Sequence, residues 1–284
     1  MFSSPDHTPP RWLFVALTLC LAAIFAALMG RPDTASLSVQ AAETAPVATI
    51  IPPTPAAPTP APAPTPEPTP ETTPEPDWSQ PVPVGEAVDQ EEWFSDAVFI
   101  GDSRTDGFRL FSGITSEADF LVHTGITVYD VVDGKNVIRR GDKKVSILDA
   151  LAERQYGKVY ISLGVNELGY RAPENFAETY GKLIDAIRER EEDAAIYIQS
   201  IIPVNTEKCK ANDQLYYVTN ENIAAYNETL SAMAEEKKVR LVNVAEALID
   251  ENGEAVKDLS ADGVHFKKDG YILWLDYLTT HTGP

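Results

Sequence analysis

The chain has 284 residues, of which 43 are acidic and 23 are basic, so its formal net charge is −20 at pH 7. This charge argues against a nucleic-acid-binding protein, because affinity for the phosphate backbone depends on Lys and Arg. Two cysteines, Cys20 and Cys209, are too few for a disulfide framework or a Cys-rich zinc site. Nineteen of the 22 prolines precede residue 84. The chain is therefore a Pro-rich lead-in followed by a part of about 200 residues, which is long enough to bury one core.

The apolar segment 12–29 predicts a single membrane-spanning helix. Its 18 residues, WLFVALTLCLAAIFAALM, carry no charge and would extend roughly 27 Å as a helix, close to the thickness of the hydrocarbon core. The nearest small-residue cleavage sequence, Val39-Gln40-Ala41, lies too far beyond this run, which favours an uncleaved signal anchor over a cleaved signal peptide. We expect the short stub 1–11 to stay in the cytoplasm and the long C-terminal part to be exported, giving a single-pass protein of the cell membrane.

Residues 30–82 predict a disordered spacer that leads to a globular domain at 83–284. Between Thr44 and Asp77 the chain is mostly Pro, Thr and Ala with scattered acidic residues, a composition that cannot bury a core and favours polyproline II. At about 3.1 Å per residue this segment would extend up to ~100 Å. A spacer of that length would hold the domain away from the membrane, within a cell wall.

Beyond the spacer, short apolar runs alternate with helical patterns. The predicted strands are Ala97–Ile100, Phe120–Val122, Val159–Leu163, Ile196–Ile202 and Val239–Val244. The predicted helices begin at Pro173, after a cap at Thr219 or Asn220, and at Asp269, the last ending near Thr280. This alternation predicts an α/β domain, a three-layer α/β/α sandwich with a parallel sheet. Functional residues are then expected just beyond the carboxyl ends of the strands.

Three of the predicted strands end beside residues suited to acyl transfer. Ser103 follows the first strand in the sequence Gly101-Asp102-Ser103, where helix N–H groups near its Oγ would stabilise an oxyanion. Gly125 follows the second strand and lets the backbone approach a ligand closely. Asn166 follows the third strand and offers an amide donor. Each has an ordinary structural explanation too, as a capping serine, a turn glycine or a loop asparagine, so the inference rests on their occurring together.

The segment Asp262-Gly263-Val264-His265 supplies a candidate base. An imidazole can accept a serine proton near neutral pH, and a carboxylate bonded to its Nδ1 sets the tautomer. Asp262 is near enough to do this if the chain turns, which Gly263 favours. His7 precedes the membrane segment and His281 lies at an end expected to fray, so neither is expected in the site. His123 is expected to be a partly buried structural residue.

The order of these motifs resembles the SGNH hydrolase family, also called the GDSL-type esterases. Gly101-Asp102-Ser103 matches its first block, Gly125 its second, Gly164-x-Asn166 its third and Asp262-x-x-His265 its last, over roughly residues 97–278. The resemblance implies a flavodoxin-like parallel sheet. It also implies that Ser103 is the nucleophile, His265 the base and Asp262 the acid that orients it.

The same resemblance implies an oxyanion hole built from the Ser103 N–H, the Gly125 N–H and the Asn166 side chain. Two residues depart from the family pattern. Glu167 stands where the third block often has Asp, and Arg104 replaces the usual apolar residue after the serine. Neither departure removes a catalytic atom, but both bear on the substrate.

These features predict a serine ester hydrolase that uses no metal and no cofactor. The substrate is expected to be an acylated carbohydrate or another small ester, because residues 204–218 are polar and contain Tyr216-Tyr217 rather than an apolar lid. Removal of acetyl groups from a cell-wall or surface glycan is the leading expectation. Two alternatives remain open: an O-acyltransferase that uses the same triad, and a catalytically silent glycan-binding module. The expected associations are with the ester and, through residues 12–29, with the membrane.

Overall fold

The computed structural model describes residues 76–283. The predicted cytoplasmic stub, the predicted membrane segment 12–29 and residues 30–75 of the predicted spacer lie outside the described residues. Within 76–283, no helix is both long enough and apolar enough to cross a membrane.

Strands and helices alternate along the described chain. The strands are β1 Ala97–Gly101, β2 Asp119–Val122, β3 Ile138–Arg140, β4 Lys143–Val145, β5 Lys158–Ser162, β6 Ala195–Gln199 and β7 Arg240–Val242. The helices are α1 Gln90–Trp93, α2 Ser103–Phe111, α3 Val128–Val132, α4 Ile147–Leu151, α5 Pro173–Arg188, α6 Thr206–Ala211, α7 Asn220–Lys237 and α8 Lys268–Thr280, with a 3₁₀ turn at Val244–Ala247. The helices predicted from Pro173, after Thr219 and up to Thr280 are all present.

The sheet confirms the predicted parallel α/β architecture. Five strands pair in the order β2-β1-β5-β6-β7, and every pair is parallel. Helices cover both faces: α3, α4, α5 and α7 pack on the face that carries Val98 and Ile100, whereas α2 and α8 pack on the face that carries Phe99. The antiparallel hairpin β3-β4 is separate from this sheet.

A row of aromatic rings crosses the face of the sheet beneath α2 and α8. Phe120, Phe99, Tyr160 and Tyr197 lie on four neighbouring strands as register partners. Successive rings stack with centroid separations of 5.0, 4.9 and 4.5 Å. Each such pair contributes about 0.5–1.5 kcal/mol beyond the area that it buries. The row therefore favours one register, in which β1, β2 and β5 end at the same level.

Two strands are shorter than the sequence predicts. The run Ile196–Ile202 stops pairing at Gln199, because Asn227 of α7 accepts from the Ile201 N–H at 2.8 Å and donates to the Ile201 carbonyl at 2.9 Å. The run Val239–Val244 forms only β7, since Val244 begins the 3₁₀ turn. In the first strand the hydrogen bonds to Asn227 replace further pairing with the neighbouring strand. In the second strand the local hydrogen bonds of the 3₁₀ turn replace it.

The packed domain includes Val82, the last residue of the predicted spacer. Its N–H donates to the Leu241 carbonyl of β7 at 2.7 Å, and its side chain is buried. Trp78, four residues before Val82, also contacts the domain: the centre of its ring lies 5.8 Å from the Arg240 guanidinium. The chain therefore contributes to the fold before Pro83.

We expect a chain that begins at Pro83 to be less stable than one that begins at Trp78, by about 2 kcal/mol, because it loses the buried valine and a backbone hydrogen bond. Urea unfolding followed by circular dichroism measures the difference. Val84, which is 72% exposed, supplies the control: Val84→Ala in the longer chain should change stability by less than about 0.5 kcal/mol. Equal stabilities of the two chains would contradict the packing of Val82.

Candidate active site

The ends of three adjacent strands bring three loops together. Gly101, the last residue of β1, pairs with Val122 of β2 on one side and with Ser162 of β5 on the other. The next residues of each chain segment, among them Ser103, Gly125 and Asn166, therefore lie at one edge of the sheet. This is the edge at which parallel α/β proteins carry their sites.

Ser103 is the first residue of α2, and its neighbours explain why the helix begins there. Asp102 is the N-cap and accepts a hydrogen bond from the Arg104 N–H at 2.8 Å. Gly101 leaves room for the turn, because a Cβ at this position would lie 2.0 Å from the Thr105 hydroxyl and 2.8 Å from the Ser162 carbonyl oxygen. Ser103 thus stands at the positive end of a helix dipole.

Ser103, His265 and Asp262 form a continuous chain of hydrogen bonds. The Ser103 Oγ lies 2.9 Å from His265 Nε2, although 162 positions separate the two residues. His265 Nδ1 lies 2.8 Å from Asp262 Oδ2. The other oxygen of Asp262 accepts from the backbone N–H groups of Val264 and His265, at 2.9 and 2.8 Å. The turn expected between Asp262 and His265 is therefore present and is held by the aspartate itself.

Gly263 is required in this turn for two reasons. Its φ is +104°, and a Cβ would lie 2.5 Å from both the backbone nitrogen and the Sγ of Cys209 in α6. Only glycine permits this backbone conformation and this approach. The segment that carries His265 is consequently packed directly against α6.

Asp262 is ionised at neutral pH. Burial alone would raise the pKa of its carboxyl group, but the hydrogen bond and charge of His265, with the two backbone N–H donors, lower the pKa to about 2. An ionised carboxylate on Nδ1 favours the tautomer in which Nε2 is free to accept a proton. The arrangement therefore suits His265 to act as a base toward Ser103.

Asn166 lies between the segments that carry Ser103 and Gly125. Its Nδ2 donates to Asp102 Oδ2 at 3.2 Å and to the Ile126 carbonyl at 3.0 Å. Gly125 has a φ of +74° and is exposed, so its backbone is open to a ligand. The structure thus brings the three residues of the predicted oxyanion hole to one place.

Arg104 joins α2 to the loop that carries His265, a contact that the sequence did not reveal. Its guanidinium is buried, and Nε donates to the Val264 carbonyl at 2.8 Å while Nη1 donates to the Ile202 carbonyl at 2.7 Å. Burial lowers the pKa of this group, an effect that the charge of Asp102 opposes. The residue that departs from the family pattern is therefore part of the scaffold of the site.

The other two described histidines lie outside this chain of hydrogen bonds. His123 follows β2 and is half-buried, as expected, and burial together with Lys144 and Lys135 lowers its pKa. His281 is buried and stacks on Tyr277 with ring centroids 3.6 Å apart. The expectation of a frayed end at His281 is wrong, because this stacking holds the residue against α8.

A serine that is hydrogen-bonded to a histidine, which is in turn hydrogen-bonded to an ionised aspartate, lies at the carboxyl edge of a parallel sheet. This arrangement defines an α/β serine hydrolase. Comparison with known families agrees: the family described as GDSL-like Lipase/Acylhydrolase matches residues 99–273. The chain belongs to this family of carboxylic ester hydrolases.

Individual relatives share parts of the chain. The isoamyl acetate-hydrolyzing esterase of Saccharomyces cerevisiae is 41% identical over 63 residues, which are 22% of this chain and 26% of the yeast protein. The match thus spans about a quarter of the length of that esterase. A structure from Streptococcus pneumonia, described as a platelet activating factor, superposes with a TM-score of 0.53 and 24% identity over 64% of this chain and 81% of its own. A structure described as a GDSL-like lipase from Parabacteroides merdae superposes with a TM-score of 0.51 and 14% sequence identity, over 71% of this chain and 99% of its own. These two structures share the fold.

Proposed function

We propose that the protein is a serine esterase that removes acyl groups, acetyl in particular, from a cell-wall or surface glycan. The observation that carries the proposal is the hydrogen-bonded chain from Ser103 through His265 to Asp262, at 2.9 and 2.8 Å. The distances suit proton transfer in both halves of an acyl-transfer reaction.

In the first half-reaction, His265 Nε2 takes the Ser103 proton as Oγ attacks the carbonyl carbon of the ester. The tetrahedral intermediate places its negative oxygen toward the N–H groups of Ser103 and Gly125 and toward the Asn166 amide. The C–O bond to the sugar then breaks, and the imidazolium gives its proton to the departing sugar oxygen. An acyl-serine remains, and the sugar hydroxyl is the first product.

In the second half-reaction, water attacks the acyl-serine and loses its proton to His265. The tetrahedral intermediate collapses, the proton returns to Ser103 Oγ, and the carboxylic acid leaves. Asp262 stays ionised throughout and stabilises the imidazolium in both halves. Asn166 Nδ2 lies 3.2 Å from Asp102 Oδ2, and we expect the oxyanion of the intermediate to compete for this long hydrogen bond.

Four tyrosines, which we call the tyrosine rim, support a carbohydrate substrate. They are Tyr129 on α3, Tyr170 on the loop after β5, and Tyr216 and Tyr217 on the segment after α6. Tyr170 is 70% exposed and Tyr216 is 91% exposed. Flat rings with a polar edge suit the faces and hydroxyl groups of sugars.

The rim belongs to the same segments as the site. Tyr217 packs against Gly169, whose φ is +68° and where a Cβ would lie 2.6 Å from the Tyr217 Cβ. This contact joins the loop that carries Asn166 to the segment that follows α6. The Arg171 guanidinium stacks 4.8 Å from the Tyr129 ring centre and 5.6 Å from that of Tyr170. A sugar chain seated on the rim would thus lie beside the proposed oxyanion donors.

The proposed location is the outer face of the cell membrane. It is supported by the uncharged run 12–29 and by the Pro-rich segment that follows it, which together would tether an exported domain at a distance from the bilayer. An acylated glycan of the cell wall would be within reach of a domain held in this way.

We expect Tyr216→Ala to lower kcat/KM for an O-acetylated xylooligosaccharide by about tenfold, or ~1.4 kcal/mol, because a stacking surface for the sugar is lost. Hydrolysis of p-nitrophenyl acetate, which is too small to reach the rim, should be unchanged. Acetate release from the sugar and p-nitrophenol release from the small ester are the two measurements. Leu273→Ala, at a 40% exposed apolar side chain of α8, is the control and should affect neither substrate. If the wild type cleaves the small ester but the Tyr216 variant loses activity on both substrates equally, the rim does not select a glycan.

A further inference from the structure

Glu167 is a fully buried acidic residue that the reaction steps above do not use. It is 0% exposed and directly follows Asn166 in the chain. Its Oε1 accepts a hydrogen bond from the Val128 N–H, whereas its Oε2 is buried without a hydrogen-bond partner among the described residues. A carboxyl group that is buried with one oxygen unsatisfied costs folding free energy, so its presence calls for an explanation.

Glu167 and Asn166 together tie the loop after β5 to the segment that carries Gly125. Asn166 Nδ2 donates to the Ile126 carbonyl at 3.0 Å, and two residues further on the Val128 N–H donates to Glu167. Val128 is the first residue of α3, so its N–H has no partner within the helix. Two successive side chains thus fix the position of Gly125 relative to the Asn166 amide.

The same loop is held from its other side by α7. The Tyr226 hydroxyl lies 2.9 Å from the Glu167 carbonyl oxygen and 2.7 Å from the Arg171 carbonyl oxygen. The backbone of Glu167 is therefore anchored independently of its side chain. A change in the side chain should consequently act on Val128 and Gly125 rather than on the loop after β5.

The surroundings of Glu167 favour its neutral form. Burial raises the pKa of its carboxyl group to about 8; the Val128 N–H opposes this rise, and the negative charges of Asp102 and Asp130 add to it. The titratable groups that interact with it from the neighbouring elements are Asp102 before α2, Tyr129 and Asp130 on α3, Tyr180 on α5 and Tyr226 on α7. None of these carries a positive charge that would stabilise the carboxylate.

We propose that Glu167 is a positioning residue which, while protonated, holds the Gly125 and Asn166 donors in register, and whose ionisation disables the site in alkaline solution. The inference rests on the proposed function. An ionised Glu167 would place a negative charge one residue from Asn166, against the negative oxygen of the tetrahedral intermediate. It would also draw the Val128 N–H more strongly and shift the segment that carries Gly125.

The test is the pH profile of kcat/KM for p-nitrophenyl acetate, measured from pH 6 to pH 10 on the full-length protein after subtraction of spontaneous hydrolysis. The wild type should lose about tenfold between pH 7 and pH 9, because a tenth of the groups remain protonated one unit above a pKa of about 8. Glu167→Gln keeps a neutral acceptor for the Val128 N–H. The kcat/KM of the Glu167→Gln variant should match that of the wild type at pH 7 within about threefold and should stay constant up to pH 9.

Glu191 is a matched control. Like Glu167, it is almost fully buried, with 1% of its surface exposed, and burial raises its pKa. One of its oxygens accepts a hydrogen bond from the Tyr156 N–H at 2.9 Å, and the other is buried without a hydrogen-bond partner among the described residues. Glu191 lies between α5 and β6 in the chain, and its partner Tyr156 precedes β5. It is therefore at the edge of the sheet where the strands begin, opposite the edge that carries Ser103. Glu191→Gln should keep the alkaline loss of the wild type. Circular dichroism at each pH separates loss of activity from loss of fold.

Glu167→Ala removes the acceptor altogether and should lower kcat at pH 7 by about tenfold or more, an effect that Gln restores. If the Glu167→Ala variant does not fold, the pH profile of kcat/KM for Glu167→Gln still tests the proposal. The proposal is overturned if Glu167→Gln retains the alkaline loss, if Glu191→Gln abolishes it, or if the active wild type shows none. A wild type without esterase activity at any pH would instead overturn the proposed function, and this inference with it.

Discussion

Replacing Ser103 with Ala is expected to abolish hydrolysis of p-nitrophenyl acetate and leave the fold intact. Its Oγ is the atom that lies 2.9 Å from His265 Nε2, and loss of the nucleophile from a serine triad costs several orders of magnitude in kcat. The side chain lies at the first position of α2, where Ala is accepted without a steric penalty. The unfolding midpoint should therefore change little.

Labelling identifies the nucleophile independently of turnover. A fluorophosphonate should modify the wild type at Ser103, as shown by peptide mapping, and should leave the Ser103→Ala variant unmodified. Ser112 follows the same helix at its other end, so Ser112→Ala should retain both labelling and activity. A Ser103→Ala enzyme that kept more than about a tenth of the wild-type kcat, a change of only ~1.4 kcal/mol, would exclude Ser103 as the nucleophile.

Asp262→Asn is expected to have the second largest effect, a loss of about 10⁴ in kcat. Asn can still accept the Val264 and His265 N–H groups with its Oδ1, so the turn should persist. Its amide N–H₂, however, would face His265 Nδ1 where the carboxylate now lies at 2.8 Å. The imidazole would then carry its proton on Nε2 and could not accept the proton of Ser103.

The pH profile distinguishes this loss from a loss of oxyanion stabilisation. Without the Asp262 carboxylate, protonated His265 has no counter-charge, so the acidic limb of kcat/KM should move to lower pH. Asn166→Ala is the comparison: it should lower kcat by roughly 10²–10³ at every pH, because an amide donor does not titrate. An Asp262→Asn enzyme with an unchanged rate and an unchanged acidic limb would mean that another acid orients His265.

Local sequence determined the order and type of the main elements. Pro173 begins α5 and Thr219 caps α7, as expected, because a proline at the first helical position and a hydroxyl that accepts the Asn222 N–H act within a few residues. The apolar runs of β1, β2 and β5 were likewise predictable, since strands covered on both faces are apolar throughout. From parallel strands alone it followed that Ser103, Gly125 and Asn166 would lie at one edge.

The tertiary structure decided what depends on partners distant in the chain. The sequence showed Arg104 and Glu167 only as departures from a pattern. Their contacts became visible only in the folded structure. There the Val264 and Ile202 carbonyls accept from the Arg104 guanidinium, and the Val128 N–H donates to the Glu167 carboxyl group. The end of β6 was also set from a distance, by Asn227 of α7. The physical reason is the same in each case: a buried polar group gains stability from a hydrogen-bond partner, and which partner lies within reach is fixed by the packing of segments that are remote in sequence.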